Sequence, residues 1–373
     1  MGKLYKLYES SIFYTSGVEN VSVTGSRRKQ IGILTGGGDA PGLNAVIRGI
    51  TTRAISLGYD VLGIRNGWKG LLGEGEHDPL DLDKVEDIHM LGGTILFTSR
   101  TNPYKVQNGV DELKKNLKRF DIHCLIAIGG EDTLGVAWKL YQDGIKVLGV
   151  PKTIDNDVNA TDYTFGFDTA VNTAADAIDR LHTTAASHSR VLVVEVMGRH
   201  AGWLTLYAGM AGGAHIILIP EEPYDINEIC KIIRRREEMG KNYTIIAVSE
   251  GAVPKEGDMV LQAVEKDSFG HVRLGGIAER LALEIEKMTG KESRHVVLGH
   301  LQRAGHPTAF DRVLGTRLGL HAAEMADKGM YGKIAALRGT EIITVDMRDA
   351  LGALKIVPKK RYDEARIFFG VEG

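Results

Sequence analysis

From Gln30 onward one pattern governs the chain. A short run of β-branched and aliphatic residues ends in a polar loop containing glycine, and an amphipathic stretch follows. The runs cover residues 31–35, 59–64, 125–128, 146–150, 191–196, 215–219, 244–248 and 296–298. They are of strand length, and several are apolar throughout, as suits strands buried on both faces of a parallel sheet. Helical patterns at 42–57, 111–118, 134–143, 170–184 and 277–289 lie between them. Strand and helix in alternation predict an α/β fold with mainly parallel sheets flanked by helices. A length of 373 residues fits two domains.

Composition narrows the function classes. With 46 Lys+Arg against 48 Asp+Glu, the net charge is −2. No global basic field is available for nucleic acid or an anionic membrane. No apolar run approaches the roughly 18 residues that cross a bilayer. An anionic ligand must then be held by a local cluster of Arg, Lys and backbone N–H groups. Cys124 and Cys230 are the only cysteines, too few for a disulfide framework or a four-thiolate zinc site, so the expected location is cytoplasmic. Residues 1–29 carry Lys3, Lys6, Arg27, Arg28 and Lys29 but no apolar signal-peptide core. They read as an extension outside the main core, either a tail or an arm laid on a neighbouring subunit.

In open parallel sheets ligands lie beyond the carboxyl ends of the strands, and six such ends here carry glycines or charges. After the first run comes Gly36-Gly37-Gly38-Asp39-Ala40-Pro41-Gly42-Leu43-Asn44. Its N–H groups and the following helix terminus suit an anion. It is neither a dinucleotide fingerprint, because Pro41 stands where glycine is needed, nor a Walker A loop, because no Lys-Ser/Thr follows. A tight turn without a ligand is the plainer alternative. After 125–128 comes Gly129-Gly130-Glu131-Asp132-Thr133, whose acids are either solvated or able to hold Mg²⁺ together with phosphate oxygens. After 146–150 comes Pro151-Lys152-Thr153-Ile154-Asp155-Asn156-Asp157, the most specific of the set. One carboxylate there can take a proton from an attacking hydroxyl, and a second can bind the metal bridging a phosphoryl donor. Met197-Gly198-Arg199-His200, Ser249-Glu250-Gly251 and Gly299-His300-Leu301-Gln302-Arg303 close the three remaining ends. Arg100, Arg190, Arg199, Arg294 and Arg303 offer planar forks for phosphate. Together these loops imply a site for two phosphorylated molecules, with Glu250 available to sugar hydroxyls.

Gly37-Gly38-Asp39-Ala40-Pro41-Gly42-Leu43-Asn44, Thr153-Ile154-Asp155-Asn156-Asp157, Met197-Gly198-Arg199 and Gly299-His300-Leu301-Gln302-Arg303 resemble the signatures of the 6-phosphofructokinase family, in its order and at its spacings. The resemblance spans roughly residues 30–350. It implies two α/β domains with the active site in the cleft between them: a phosphoryl-donor domain (30–165 plus 302–350) and a fructose 6-phosphate domain (166–301), with a C-terminal segment at 351–373. It implies phosphoryl transfer to the 1-hydroxyl of fructose 6-phosphate, with Asp155 as general base, and Arg199 and Lys152 assisting. Thr153, Met197, Gly198, Arg199, Glu250, His300 and Arg303 match the sugar-phosphate site. Arg190 and Arg294 match arginines that reach the sugar phosphate of an adjacent subunit, which implies a homodimer or homotetramer with shared sites. Gly37, Arg100, Gly130 and Thr133 match the donor site, and Glu131 and Asp157 match positions near Mg²⁺. Glu131 stands where the family usually has Asp.

Two positions bear on the donor. The ATP-using branch carries Gly-Gly-Asp-Gly-Ser and Pro-Gly-Thr, whereas this chain has Asp132 and Lys152 at the two variable positions. That pair resembles the pyrophosphate-dependent branch. Asp132 would fill the space of the ATP α-phosphate and repel it, and Lys152 would balance the charge of pyrophosphate. The alternative is an ATP-dependent enzyme that tolerates Asp132. A sugar-phosphate sensor on the same fold would have lost Asp155 or the arginines, and a lipid or NAD kinase would not account for His300 and Arg303. In allosterically controlled relatives an arginine cluster grips a nucleotide diphosphate. Arg48 matches one member, but Thr52, Gly75 and His182 replace others, and His215 replaces an acid, so the resemblance implies weak regulation.

Overall fold

In the computed structural model, residues 28–255, 261–266 and 272–369 are described. All of the expected extension except Arg28 and Lys29 lies outside them. The chain runs β1 (Gln30–Thr35), α1 (Leu43–Ser56), β2 (Asp60–Ile64), β3 (His77–Leu80), α2 (Leu82–Val85), α3 (Gly109–Arg119), β4 (Ile122–Gly129), α4 (Glu131–Gln142), β5 (Val147–Pro151) and α5 (Phe167–His188). It continues through β6 (Val191–Val196), α6 (Trp203–Ala211), β7 (Ile216–Leu218), α7 (Ile226–Glu238), β8 (Thr244–Ser249), β9 (Leu261–Lys266), β10 (Val272–Leu274), α8 (Ile277–Thr289) and β11 (Ser293–Val297). It closes with α9 (Ala309–Asp327), β12 (Lys333–Arg338), β13 (Glu341–Asp346), α10 (Met347–Leu351) and α11 (Lys359–Arg366).

The strands form two main sheets. The larger runs β13-β12-β5-β4-β1-β2-β3, parallel from β12 to β2 with an antiparallel strand at each edge. The smaller runs β11-β6-β8-β7 and is parallel throughout. β9 and β10 make a separate antiparallel pair. The all-apolar runs are explained by burial on both faces. On β4, Cys124, Ile126 and Ile128 join the core beneath α1 and α9, while Leu125 and Ala127 join the core beneath α4. On β6, Leu192, Val194 and Val196 face α5 and α6, and Val191 and Val193 face α7 and α8. This is the period-two alternation of a strand with helices on both sides.

Chain order reverses direction in the larger sheet between β1 and β4, and such a switch leaves a crevice beyond the carboxyl ends. The loops after β1 and β4 open there. The C-terminal segment returns to the smaller sheet, where Tyr362 and Phe369 enter its core and the Tyr362 hydroxyl donates to the carbonyl of Ile217 at 2.8 Å. No helix of the described residues is long and apolar enough to cross a membrane.

Candidate active site

The carboxyl ends of both sheets border one cavity of about 870 Å³. From the larger sheet, the loop after β1 supplies Gly37, the start of α4 supplies Gly130, Glu131, Asp132 and Thr133, and the segment after β5 supplies Lys152, Thr153, Asp155 and Asp157. From the smaller sheet come Met197 and Arg199 after β6, Glu250 after β8, and His300 and Arg303 after β11. Arg100 reaches the cavity from the connection before α3. Gly198 lies just behind the wall, its carbonyl accepting from Gly251 N at 3.1 Å and from Ser249 Oγ at 2.5 Å.

Arg190 and Arg294 are not in the wall. Arg190 immediately precedes β6, so the length of a six-residue strand, about 16 Å, separates it from the loop carrying Arg199. Arg190 and Arg294 both hold Glu292, at 2.7 and 2.5 Å.

Loop-to-loop bonds fix the wall. Gly36 N donates to Ile128 O at 2.9 Å, and Gly37 N to Ser99 O at 3.1 Å. A Cβ on Gly38 would sit 2.8 Å from the Arg303 guanidinium, so the missing side chain lets Arg303 reach across from the smaller sheet's loop to the β1 loop. Gln302, fully buried, accepts from Met197 N at 3.2 Å and donates to Gly299 O at 3.0 Å. Glu195 accepts from Gly276 N and Ala278 N, both at 3.1 Å, and so satisfies N–H groups left open at the start of α8.

The electrostatics follow from burial. Lys152 is 4% exposed and donates from Nζ to the Gly38 carbonyl. Burial, with nearby Arg303, pulls its ammonium down to about 8, while Asp39, Asp155 and Asp157 oppose the shift. Burial raises the Asp155 carboxyl well above the ordinary range; the negative charges of Asp157 and Glu250 add to this, and Arg303 and Lys152 work against it. Asp155 Oδ1 is sealed from solvent and has no hydrogen-bond partner. Asp157 and Glu250 are raised as well, chiefly by burial. Three carboxyls raised by burial beside a cluster of Lys and Arg mark this cavity as a functional-site candidate.

No group of three or more His, Cys, Asp or Glu among the described residues forms a metal cage. Glu131 and Asp157 do line the cavity. Two carboxylates fit Mg²⁺, which completes its shell with phosphate oxygens and water.

The wall also holds residues that the sequence reading did not single out as ligands: Glu195, His200, Glu279, His295 and Leu354. Glu195 had a signal, being the one charge in the apolar run Val191–Val196. Leu354 had none. Three of the residues at the expected effector positions bond within the chain. Arg48 Nε donates to Glu86 O at 2.9 Å, the His182 ring bonds Tyr243 and the Gly212 carbonyl, and His215 Nδ1 accepts from Ile245 N at 2.9 Å.

A family model described as phosphofructokinase matches residues 30–326. The chain belongs to the phosphofructokinase family. It is 58% identical over 343 residues to a pyrophosphate–fructose 6-phosphate 1-phosphotransferase of Amycolatopsis methanolica, covering 91% of this chain and 100% of the relative. It is 53% identical over 342 residues to an ATP-dependent 6-phosphofructokinase of Corynebacterium efficiens, covering 91% and 99%. Its fold matches the crystal structure of a pyrophosphate-dependent phosphofructokinase from Nitrosospira multiformis with a TM-score of 0.78 at 23% identity, covering 92% of each chain. Relatives of similar overall identity thus carry names with different donors.

Proposed function

We propose that this phosphofructokinase transfers a phosphoryl group from pyrophosphate to the 1-hydroxyl of fructose 6-phosphate, reversibly, yielding fructose 1,6-bisphosphate and phosphate. The observation that carries the donor reading is the presence of both Asp132 and Lys152 in the half of the cavity bordered by the larger sheet. A carboxylate about 4 Å from an α-phosphate charge costs roughly 4 kcal/mol at an effective dielectric near 20. That is close to a thousandfold in affinity and enough to disfavour ATP. Lys152 offers a compact cation on the same wall to a small, densely charged donor. Donor and product phosphates of similar transfer potential make the reaction reversible.

In this reading Asp155 accepts the proton of the attacking hydroxyl. Its raised pKa makes it a better base near neutral pH than an ordinary carboxylate. Lys152 and Arg199 neutralise charge developing on the transferred group. Thr153, Met197, Gly198, Glu250, His300 and Arg303 bind the sugar phosphate, with Arg190 and Arg294 reaching it from a neighbouring subunit. Gly37, Arg100, Gly130 and Thr133 hold the donor. Glu131 and Asp157 would hold Mg²⁺, the metal generally used by this family, which would offset negative charge on the phosphates. Residues 30–165 plus 302–350 then form the donor domain and 166–301 the sugar domain. The routing of strands between the two sheets supports this division.

The competing reading, ATP as donor, draws on the relative from Corynebacterium efficiens. Turnover of fructose 6-phosphate with Mg²⁺ and either pyrophosphate or ATP separates the two. Pyrophosphate is expected to support turnover and ATP to support little. Asp132→Gly should open ATP use, and Lys152→Gly should weaken pyrophosphate use. A wild-type preference for ATP, or an Asp132→Gly enzyme active with pyrophosphate yet gaining nothing with ATP, overturns the proposal.

A further inference from the structure

The segment between β5 and α5 that carries Asp155 and Asp157 has little regular structure of its own. At its centre Asn156 is 3% exposed and holds a left-handed backbone with φ +51°. Asn is among the few residues with a side chain that take this conformation readily, because its side chain can hydrogen-bond nearby. Two donors hold that side chain here. Asn156 Oδ1 accepts from Thr164 N at 3.1 Å and from Lys355 Nζ at 2.8 Å.

Lys355 belongs to the C-terminal segment, far away in sequence. Its ammonium also donates to Thr161 O at 2.9 Å and Asp162 O at 2.7 Å, so all three of its protons have acceptors on the stretch following Asp155. Its backbone N–H donates to the Asp157 carbonyl at 2.9 Å, and Val158 bridges to Leu354. On the other side, the Lys355 carbonyl accepts from Trp203 Nε1 at 2.8 Å, and Val357 N donates to Glu221 Oε1 at 2.8 Å. The segment is therefore anchored on elements of the smaller sheet while it grips the segment leaving the larger one.

We propose that Lys355 is a positioning residue for phosphoryl transfer: it acts through Asn156 and the Asp157 backbone to hold the loop that presents Asp155. The inference rests on the assignment of Asp155 as the base. It does not depend on whether pyrophosphate or ATP is the donor. A misplacement of the base by an ångström lowers the rate of the chemical step much more than it lowers affinity for substrates held by other side chains.

Lys355→Met removes the ammonium and keeps the packing volume of its stem. With pyrophosphate and fructose 6-phosphate, kcat is expected to fall roughly ten- to hundredfold while both KM values stay within about threefold. Lys355→Arg, which retains a cation and several donors, is expected to recover much of the loss. In the free protein, amide exchange over residues 153–158 should be faster in Lys355→Met than in wild type. Folded Lys355→Met with kcat within about twofold of wild type, or with raised KM and unchanged kcat, overturns the proposal. If Lys355→Met does not fold, Asn156→Gly severs the same contact in a residue that tolerates the left-handed backbone. The same fall in kcat then supports the inference, and an unchanged kcat overturns it. If wild type itself turns over neither donor with fructose 6-phosphate, the functional reading fails. Exchange over 153–158 then decides for or against the loop contact, unchanged exchange counting against it.

Discussion

At the scale of single residues, the deciding feature is a carboxylate that the fold keeps from its usual ionisation. Asp155 owes its raised pKa first to burial and then to Asp157 and Glu250. A base must be unprotonated to act, so activity should fall as pH drops through that raised pKa. The acid limb of the kcat/KM profile, which reports the free enzyme, is expected well above pH 4, toward neutrality, and pH-rate curves at low fructose 6-phosphate measure it. Asp155→Asn keeps the shape but cannot take the proton. Turnover should fall by about 10²–10⁴-fold with substrates still bound, and the residual rate should lose that acid limb. A variant within threefold of wild-type kcat would remove Asp155 from the role. The make-up of the cavity wall was largely legible in the sequence, because Lys152, Asp155, Asp157, His300 and Arg303 are crowded into short loops after apolar runs. Lys355 was not. It reaches the site from a segment of no recognisable pattern, and only tertiary routing brings it to Asn156.

At the scale of elements, the runs of β1, β4, β5, β6 and β8 were legible as strands because they are central and buried almost throughout, whereas β11 is a largely exposed edge strand that begins three residues before the expected run at 296–298. The missed strands of the larger sheet are different. β3 is an edge strand containing Pro79, which breaks a strand pattern. β12 is short on β-branched residues, its core being Ile-Ala-Ala-Leu, and its place is decided by pairing with β5 and β13. Helix α9 poses the opposite puzzle, carrying Gly315 and Gly319 inside a helix. Packing explains it: a Cβ on Gly319 would lie 2.4 Å from the carbonyl oxygen of Val46 on α1. The two backbones touch, and no flexible side chain is there to yield. Gly319→Ala therefore sets two effects against each other. Helix propensity alone would stabilise by about 1 kcal/mol, while forcing α1 from α9 costs about 1–3 kcal/mol. The contact atom is backbone, so destabilisation should win. Urea unfolding of the two proteins gives the sign, and a more stable Gly319→Ala would show that the helices separate easily.

At the scale of the whole molecule, Arg190 and Arg294 stand apart from the cavity. The site holds three carboxyls whose pKa burial raises, and its own cations are Lys152, Arg100, Arg199 and Arg303. Arg190 begins β6 at the end opposite Arg199, and an arginine side chain does not span a strand's length. If Arg190 serves a sugar phosphate, it serves the one bound to another copy of the chain. A two-fold interface would make that exchange mutual. Each site would then combine Asp155 of one subunit with Arg190 of its neighbour, which a mixing experiment can detect. Asp155→Asn subunits retain their arginines, and Arg190→Ala subunits retain their base. In a mixed dimer one site inherits both defects and the other inherits none. Equal mixing with random reassembly makes half the dimers mixed, each with one intact site in two, so about a quarter of wild-type activity should return. Each parent alone should remain nearly inactive. Recovery near that fraction requires the base and the arginine to come from different chains. If activity after dissociation and reassembly stays at the average of the two parents, Arg190 does not complete a neighbour's site.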